Sequence, residues 1–165
     1  MSATPPPFTS GCQCGAVRFA AGRLGGAAIC HCRMCQKAFG SIFGAYVTGY
    51  DVAWTRGAPS WFESSDVVRR GFCGQCGTPL AYDTHQPDGS LELAIGALDN
   101  PEWAPPSRHL NPHDMLSYAL TLAELPIRPE TTRPDVETLK GAPVVSHQHP
   151  DHDTDTWPPK DGFRP

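Results

Sequence analysis

The chain has 165 residues, a formal net charge of −4 and no run or stripe of basic residues, which excludes the electrostatic footprint of a nucleic-acid-binding protein. No apolar run approaches the roughly 20 residues that span a bilayer, and the first eight residues do not have the pattern of a signal peptide. We therefore expect a cytoplasmic protein without nucleic-acid or membrane partners, in which the seven cysteines bind metal rather than form disulfides.

Short strands separated by turns dominate the pattern after a flexible lead over residues 1–9. The alternation of apolar and polar residues predicts a strand at 16–20. Short runs between turn signals predict further strands at 27–29, 44–48, 52–55, 60–63, 67–72, 80–82 and 91–95. Residues 22–26 are expected to form a turn, and residues 34–39 a helical turn that ends at Gly40. Residues 115–125 fit either a strand or a short helix. The pattern indicates a mainly β domain over residues 10–125.

The composition changes at Pro126. Eight of the 18 prolines lie in the last 40 residues, with few large apolar side chains, so residues 126–165 are expected to form an extended tail without a core of its own. Residues 147–152 match the H-x-H-x-D-H signature of metallo-β-lactamase-like hydrolases, but only 13 residues follow, too few for that fold. We interpret this match as accidental, and leave adventitious metal binding by the tail open.

Two close pairs of cysteines, about sixty residues apart, predict a closed metal site. Each pair is flanked by glycines, which let the backbone curl so that amide N–H groups point at the sulfurs. Four cysteines satisfy a tetrahedral zinc ion, which would join two distant parts of a small β domain. The four predicted structural zinc ligands are Cys12, Cys14, Cys73 and Cys76.

The other three cysteines, Cys30, Cys32 and Cys35, lie within six residues and could all reach one ion. A second zinc ion bound by three sulfurs keeps one tetrahedral position for an incoming thiol or water, which is typical of a catalytic site. The alternative is a closed site completed by His85, His109 or His113, since His31 between two ligands is expected to point away. Lys37 either holds a carboxylate of an anionic ligand near this metal or is a solvated surface lysine.

The three cysteine motifs together resemble those of the glutathione-dependent formaldehyde-activating enzymes. The resemblance covers roughly residues 10–125 and rests on three stretches: Gly11-Cys12-x-Cys14-Gly15-Ala-Val17-x-Phe19, Cys30-His31-Cys32-x-x-Cys35-Gln36-Lys37, and Phe72-Cys73-x-x-Cys76-Gly77-x-Pro79-Leu80. The stretch Gly96-x-Leu98-Asp99 also matches. This resemblance implies the Mss4-like fold of folded-over antiparallel sheets. It also implies a structural zinc at the four cysteines and a catalytic zinc at the three.

The activity that the resemblance implies is a zinc-dependent carbon–sulfur lyase reaction. It would condense glutathione, as co-substrate, or a similar thiol with formaldehyde or a related aldehyde to an S-hydroxymethyl adduct. Two alternatives belong to other classes: a glutathione or small-thiol binding protein without catalysis, and a structural zinc protein that presents its sheet to a protein partner. The sequence leaves the oligomeric state open.

Overall fold

Ten short strands and one α-helix dominate the computed structural model of the chain, which describes residues 8–127 and 146–160. The strands are β1 (Phe8–Gly11), β2 (Arg18–Ala21), β3 (Arg23–Cys30), β4 (Gly44–Tyr50), β5 (Ala53–Arg56), β6 (Ser60–Ser65), β7 (Val68–Phe72), β8 (Pro79–Asp83), β9 (Leu91–Ala94) and β10 (His109–Leu110). The helix is α1 (Arg33–Phe39), and four 3-10 helices cover Ile95–Ala97, Pro101–Trp103, Pro112–Asp114 and Ala119–Glu124. The predicted mainly β fold is confirmed.

The strands form two sheets. One is an antiparallel sheet of three strands in the order β1-β2-β5, and the other has seven strands in the order β10-β3-β4-β9-β8-β7-β6. Within the larger sheet the neighbours are antiparallel except β10, which pairs with β3 in parallel. That pairing sets Leu110 opposite Cys30, so residues far along the chain reach the central cysteines.

The larger of two apolar clusters joins the two sheets. Phe19 of the small sheet and Val47, Leu80 and Leu93 of the large one are fully buried within it. Burial of each such side chain stabilises the fold by about 2 kcal/mol. The buried Cys12 and Cys73 belong to the same core. The buried strand residues therefore hold the cysteine-bearing turns in place.

The structure differs from the predicted elements at two places. β3 begins at Arg23, so residues 22–26 are largely strand, with an irregular register between Leu24 and Ala27 that two glycines accommodate. Phe8 and Thr9, assigned to the lead, pair with β2 as part of β1. Residues 115–125, for which the sequence left a strand or a short helix open, contain a short 3-10 helix. No helix of the described residues is long and apolar enough to cross a membrane.

Part of the proline-rich tail lies against the domain. We name residues 146–160 the C-terminal clasp; the remaining predicted tail residues 128–145 and 161–165, and residues 1–7 of the lead, lie outside the described residues. His149 of the clasp is only 2% exposed, and its backbone N–H donates to the carbonyl of Gln13 at 2.7 Å. The indole N–H of Trp157 donates to the carbonyl of Cys14 at 2.6 Å. The clasp thus covers the first cysteine pair.

A buried arginine of the domain pairs with a buried aspartate and also with an exposed aspartate of the clasp. The guanidinium of Arg18, which is 2% exposed, donates to both carboxylate oxygens of Asp99, at 2.7 and 2.5 Å. A third bond joins its Nε to Asp153 of the clasp at 2.8 Å. The histidines of the clasp take no part in the groups of metal-ligating side chains formed by the described residues.

Candidate metal centres and the cysteine cavity

The turns after β1 and β7 bring four cysteines together. The sulfurs of Cys12, Cys14, Cys73 and Cys76 all lie within 4.8 Å of one another. The Cys12 and Cys14 sulfurs are 3.6 Å apart, and those of Cys14 and Cys73 are 3.9 Å apart. A tetrahedral zinc ion with bonds of about 2.3 Å separates its sulfurs by about 3.8 Å. The arrangement therefore fits zinc.

Backbone amides support this group, as expected for thiolates. The N–H of Val17 donates to the Cys12 sulfur at 3.2 Å, and the N–H of Gln75 to the Cys73 sulfur at 3.4 Å. Burial opposes ionisation of Cys76, but hydrogen bonding from Thr78 lowers the pKa of this thiol to about 6. Such donors stabilise negative sulfur, which is the form that ligates zinc.

The second group of cysteines lies where β3 passes into α1. Cys30 is the last residue of β3, Cys32 caps the helix and Cys35 lies in its first turn. Their three sulfurs lie within 4.8 Å of one another. Gly40, with a left-handed φ of 57°, ends the helix where the sequence predicts. This second group could also hold a zinc ion.

Each of these three sulfurs has a different hydrogen-bond donor. The backbone N–H of Cys35 donates to the sulfur of Cys32 at 3.4 Å. The side-chain amide of Asn111 donates to Cys30 at 3.2 Å. The guanidinium of Arg70 donates to Cys35 at 3.6 Å. Three donors from three parts of the chain therefore favour thiolates here.

Burial disfavours the thiolate forms of Cys32 and Cys35, and only at Cys32 do the hydrogen-bond donors outweigh it. It raises the pKa of the Cys35 thiol to about 12, although Arg70 favours the thiolate. Burial of Cys32 has the same direction but is outweighed by backbone N–H donors of Cys35 and Met34, so the pKa of this thiol is lowered. Zinc holds cysteine ligands as thiolates and would offset the burial of Cys35.

No fourth metal-ligating side chain joins the three sulfurs in the part of the chain that the structure describes. His31 is buried and turned to His109, whose Nδ1 lies 2.9 Å from its Nε2, so neither ring belongs to the group. The predicted orientation of His31 agrees with this geometry. The arrangement supports the open site over the closed alternative.

A cavity of about 520 Å³ opens beside the three sulfurs. Arg70 and Tyr46, both 8% exposed, lie next to the sulfurs in its wall, and Arg70 donates to the Tyr46 hydroxyl at 2.7 Å. Asn111, the donor to Cys30, also lies in this wall, which further includes Thr48, Tyr82, Glu92 and Arg108. The sulfurs are therefore accessible to a ligand that meets aromatic, cationic and anionic groups in turn.

Lys37 lies outside this wall. It is exposed on α1 and lines a neighbouring groove with Met34, Phe62 and Arg70. The cationic side chains that line the cysteine cavity itself are Arg70 and Arg108.

The sequence reasoning missed most of the cavity wall. Arg70 had a visible signal, because it is in phase with the buried Val68 on β7 and so places a cation on an apolar strand face. The sequence signal for Asn111 is weaker: asparagine is one of the residues that tolerate a left-handed backbone, and Asn111 adopts a φ of 52°. Glu92 and Arg108 had none, because their proximity depends on pairing between strands far apart in sequence.

The chain was compared with known families and structures. The sequence profile of the glutathione-dependent formaldehyde-activating enzymes matches residues 7–113. A crystal structure of a protein from Rhodobacter sphaeroides has a similar fold, with a TM-score of 0.50 and 20% identity over 61% of this chain and 98% of that chain. A search of curated protein sequences finds no match. Since the profile covers more than half of its residues, this chain belongs to the glutathione-dependent formaldehyde-activating enzyme family.

Proposed function

We propose that this protein is a zinc-dependent carbon–sulfur lyase that condenses glutathione, or a similar thiol, with formaldehyde or a related aldehyde to an S-hydroxymethyl adduct. The observation that carries the proposal is the three-sulfur group beside a cavity, without a fourth ligand from the described residues. Family membership supports the same chemistry. We place the reaction in the cytoplasm, where thiols stay reduced.

The two cysteine groups have separate roles in this proposal. Cys12, Cys14, Cys73 and Cys76 would hold a structural zinc ion, whose four ligands leave no position for a substrate. Cys30, Cys32 and Cys35 would hold the catalytic zinc ion at the cavity. When bound there, zinc supplies a site that keeps a substrate thiol deprotonated at neutral pH.

The cavity wall contributes to the addition through Tyr46 and Arg70. In the reaction the sulfur forms a bond to the carbonyl carbon, and the π electrons of the C=O bond move to oxygen, which takes a proton from water. Burial raises the pKa of Tyr46, so its hydroxyl stays protonated and can donate a hydrogen bond to the developing oxyanion. Arg70, bonded to both Tyr46 and the Cys35 sulfur, positions that hydroxyl beside the reacting atoms.

The remaining wall orients the thiol beside the sulfurs. Holding thiol and aldehyde together accelerates an addition that also proceeds in solution. Lys37, exposed on the neighbouring groove, stays a predicted anchor for an outer carboxylate of the ligand.

The test combines metal content with turnover. Elemental analysis should give two zinc ions per chain, and Cys32→Ser should reduce this to one while the fold is retained. Exchange NMR with labelled formaldehyde should show zinc-loaded protein accelerating adduct formation, with Tyr46→Phe lowering the rate by about tenfold to a hundredfold. Glu102→Gln, at an exposed position outside the cavity wall, is the matched control.

Three outcomes would contradict the proposal. Fully loaded protein that gives no acceleration over buffer would remove the enzymatic claim and favour the thiol-binding alternative. One zinc ion in the wild type would leave the three-cysteine group without its metal. Loss of all zinc and of folding in Cys32→Ser would make that group structural.

A further inference from the structure

One row of side chains crosses the floor of the cysteine cavity from strand to strand. Arg70 on β7 pairs with Tyr82 on β8, Tyr82 pairs with Glu92 on β9, and Glu92 pairs with Thr48 on β4. Directly paired residues project on the same face of an antiparallel sheet. The row therefore begins at the cation beside the sulfurs and leads to a carboxylate at the other end.

The far end of this row combines opposite charges. The guanidinium of Arg108 lies over β3, where a Cβ added to Gly26 would come within 2.5 Å of its Nη2. Arg108 and Glu92 both line the cavity, and the charge of Arg108 acts on Glu92. No salt bridge within 4.0 Å is found for either residue in the part of the chain that the structure describes. Both charges are therefore open to a ligand.

The state of Glu92 points to a ligand rather than to a structural role. Its one side-chain hydrogen bond among the described residues comes from the Thr48 hydroxyl at 2.9 Å. Burial raises the pKa of this carboxyl, although Thr48 and Arg108 oppose the shift. A partly buried carboxylate with one hydrogen-bond donor destabilises the fold, unless a bound cation compensates for its lost solvation.

The register also fixes how far this end lies from the sulfurs. Cys30 is opposite Gly44, and Glu92 is opposite Thr48, four residues further along β4. Four residues of strand span about 13 Å. In a γ-glutamyl thiol seven bonds separate the sulfur from the α-carbon of the γ-glutamyl group, about 9 Å when extended. With the long side chains of Glu92 and Arg108 reaching toward it, such a thiol can contact both ends, whereas a thiol of a few carbons cannot.

We propose that Glu92 and Arg108 bind the ammonium and the carboxylate of an α-amino acid group on the thiol substrate, and so determine which thiols are used. This inference rests on the proposed function, because it places the thiol sulfur at the three cysteines. It selects thiols whose α-amino acid group is separated from the sulfur by roughly the length of a peptide, as in a γ-glutamyl thiol. Neither residue touches the reacting atoms.

The experiment measures binding and turnover separately. The variants are Glu92→Gln, which preserves side-chain shape, and Arg108→Ala, whose exposed side chain can be removed while its carbonyl still accepts from Ile29. Glu102→Gln is again the matched control. The thiols are glutathione, γ-glutamylcysteine and cysteinylglycine, of which the last lacks the γ-glutamyl α-amino acid group.

Zinc-loaded wild type and variants are titrated calorimetrically with each thiol in the absence of aldehyde. Loss of a charge-assisted hydrogen bond should weaken binding of the two γ-glutamyl thiols by about tenfold or more in each cavity variant. Cysteinylglycine binding should be the same in all proteins, and the control should match the wild type. The KM for glutathione should rise correspondingly, with kcat retained.

Equal glutathione affinity in wild type and both cavity variants would overturn the inference, even if turnover is normal. Equal losses for all three thiols would also overturn it, since the effect would then be one of structure or general charge. Wild type that binds glutathione through Glu92 without any turnover would instead remove the proposed function and keep the subsite. The two failures are therefore distinguishable.

Discussion

The contact between the C-terminal clasp and the first cysteine pair can be tested with two equivalent glycines. Gly15 follows Cys14 and Gly77 follows Cys76, and both adopt a left-handed backbone, with φ of 76° and 77°. Alanine in that conformation costs about 1 to 2 kcal/mol through contact of its Cβ with the backbone. Backbone strain alone would therefore destabilise Gly15→Ala and Gly77→Ala equally.

The surroundings of the two glycines differ. Nothing lies within 4 Å of a Cβ added at Gly77, whereas a Cβ at Gly15 overlaps the ring of His149 and lies 2.9 Å from its Cβ. His149 would have to move, with loss of its backbone bond to Gln13 and its ring contact with Thr154. At about 1 kcal/mol for each hydrogen bond, the additional loss is about 2 kcal/mol. We expect Gly15→Ala to lose about 3 to 4 kcal/mol and Gly77→Ala about 1 to 2.

The assay is urea unfolding at matched zinc content, completed by a double-mutant cycle with His149→Ala. Removing the imidazole should relieve part of the extra loss in Gly15→Ala and have no such effect on Gly77→Ala, because only neighbouring side chains couple. Equal losses for the two glycine variants, or a coupling energy of zero between residues 15 and 149, would refute the placement of the clasp.

Three further predictions address the buried charges. Asp99→Asn should lower the free energy of unfolding by about 3 kcal/mol, measured by urea denaturation, because the guanidinium of Arg18 is left buried with a weaker partner; an unchanged midpoint would contradict this. Arg70→Met should weaken zinc binding at the three-cysteine group about tenfold to a hundredfold in chelator competition, since it removes the donor to Cys35, while the other zinc ion stays bound. Glu92→Gln should be more stable than wild type at neutral pH, because a carboxyl whose folded pKa is raised by burial destabilises the fold once it ionises. Thermal unfolding should show this difference in stability above about pH 4. The difference should disappear below that pH, where both proteins are uncharged at this position.

Much of the fold followed from local patterns. Short runs between turn signals predicted the positions of most strands, and alternation of apolar and polar residues predicted the strand at 16–20, because a half-buried strand turns alternate side chains to core and solvent. Gly40 ended the helix as expected, since a left-handed residue is readily provided by glycine. Residues 22–26 were mispredicted as a turn, because their glycines accommodate an irregular strand pairing in which Leu24 lies opposite Gly49. The glycines alone do not distinguish a turn from such an irregularity.

The sulfur groups were also predictable, because ligands one to three residues apart are brought together by the local backbone. Joining Cys14 to Cys73 required only that the two pairs share one core, which the count of four sulfurs already suggested. Lys37 was predicted to lie near the metal because it is two residues from Cys35 in sequence. In the structure it lines the neighbouring groove, because proximity along a short helix does not determine which side chains line the cysteine cavity.

The sequence by itself therefore predicted the two groups of sulfurs that could hold metal ions, whereas the tertiary structure decided what surrounds them. Arg70 lies on β7, Glu92 on β9 and Arg108 immediately before β10, and the pairing of the strands brings them into one cavity. A shift of one residue in that register would turn each strand side chain to the other face. The folded position of the clasp likewise depends on the buried Arg18, which pairs with Asp99 and Asp153, 81 and 135 residues away in sequence. Such contacts leave no local pattern, because their stability arises only once the sheets have packed.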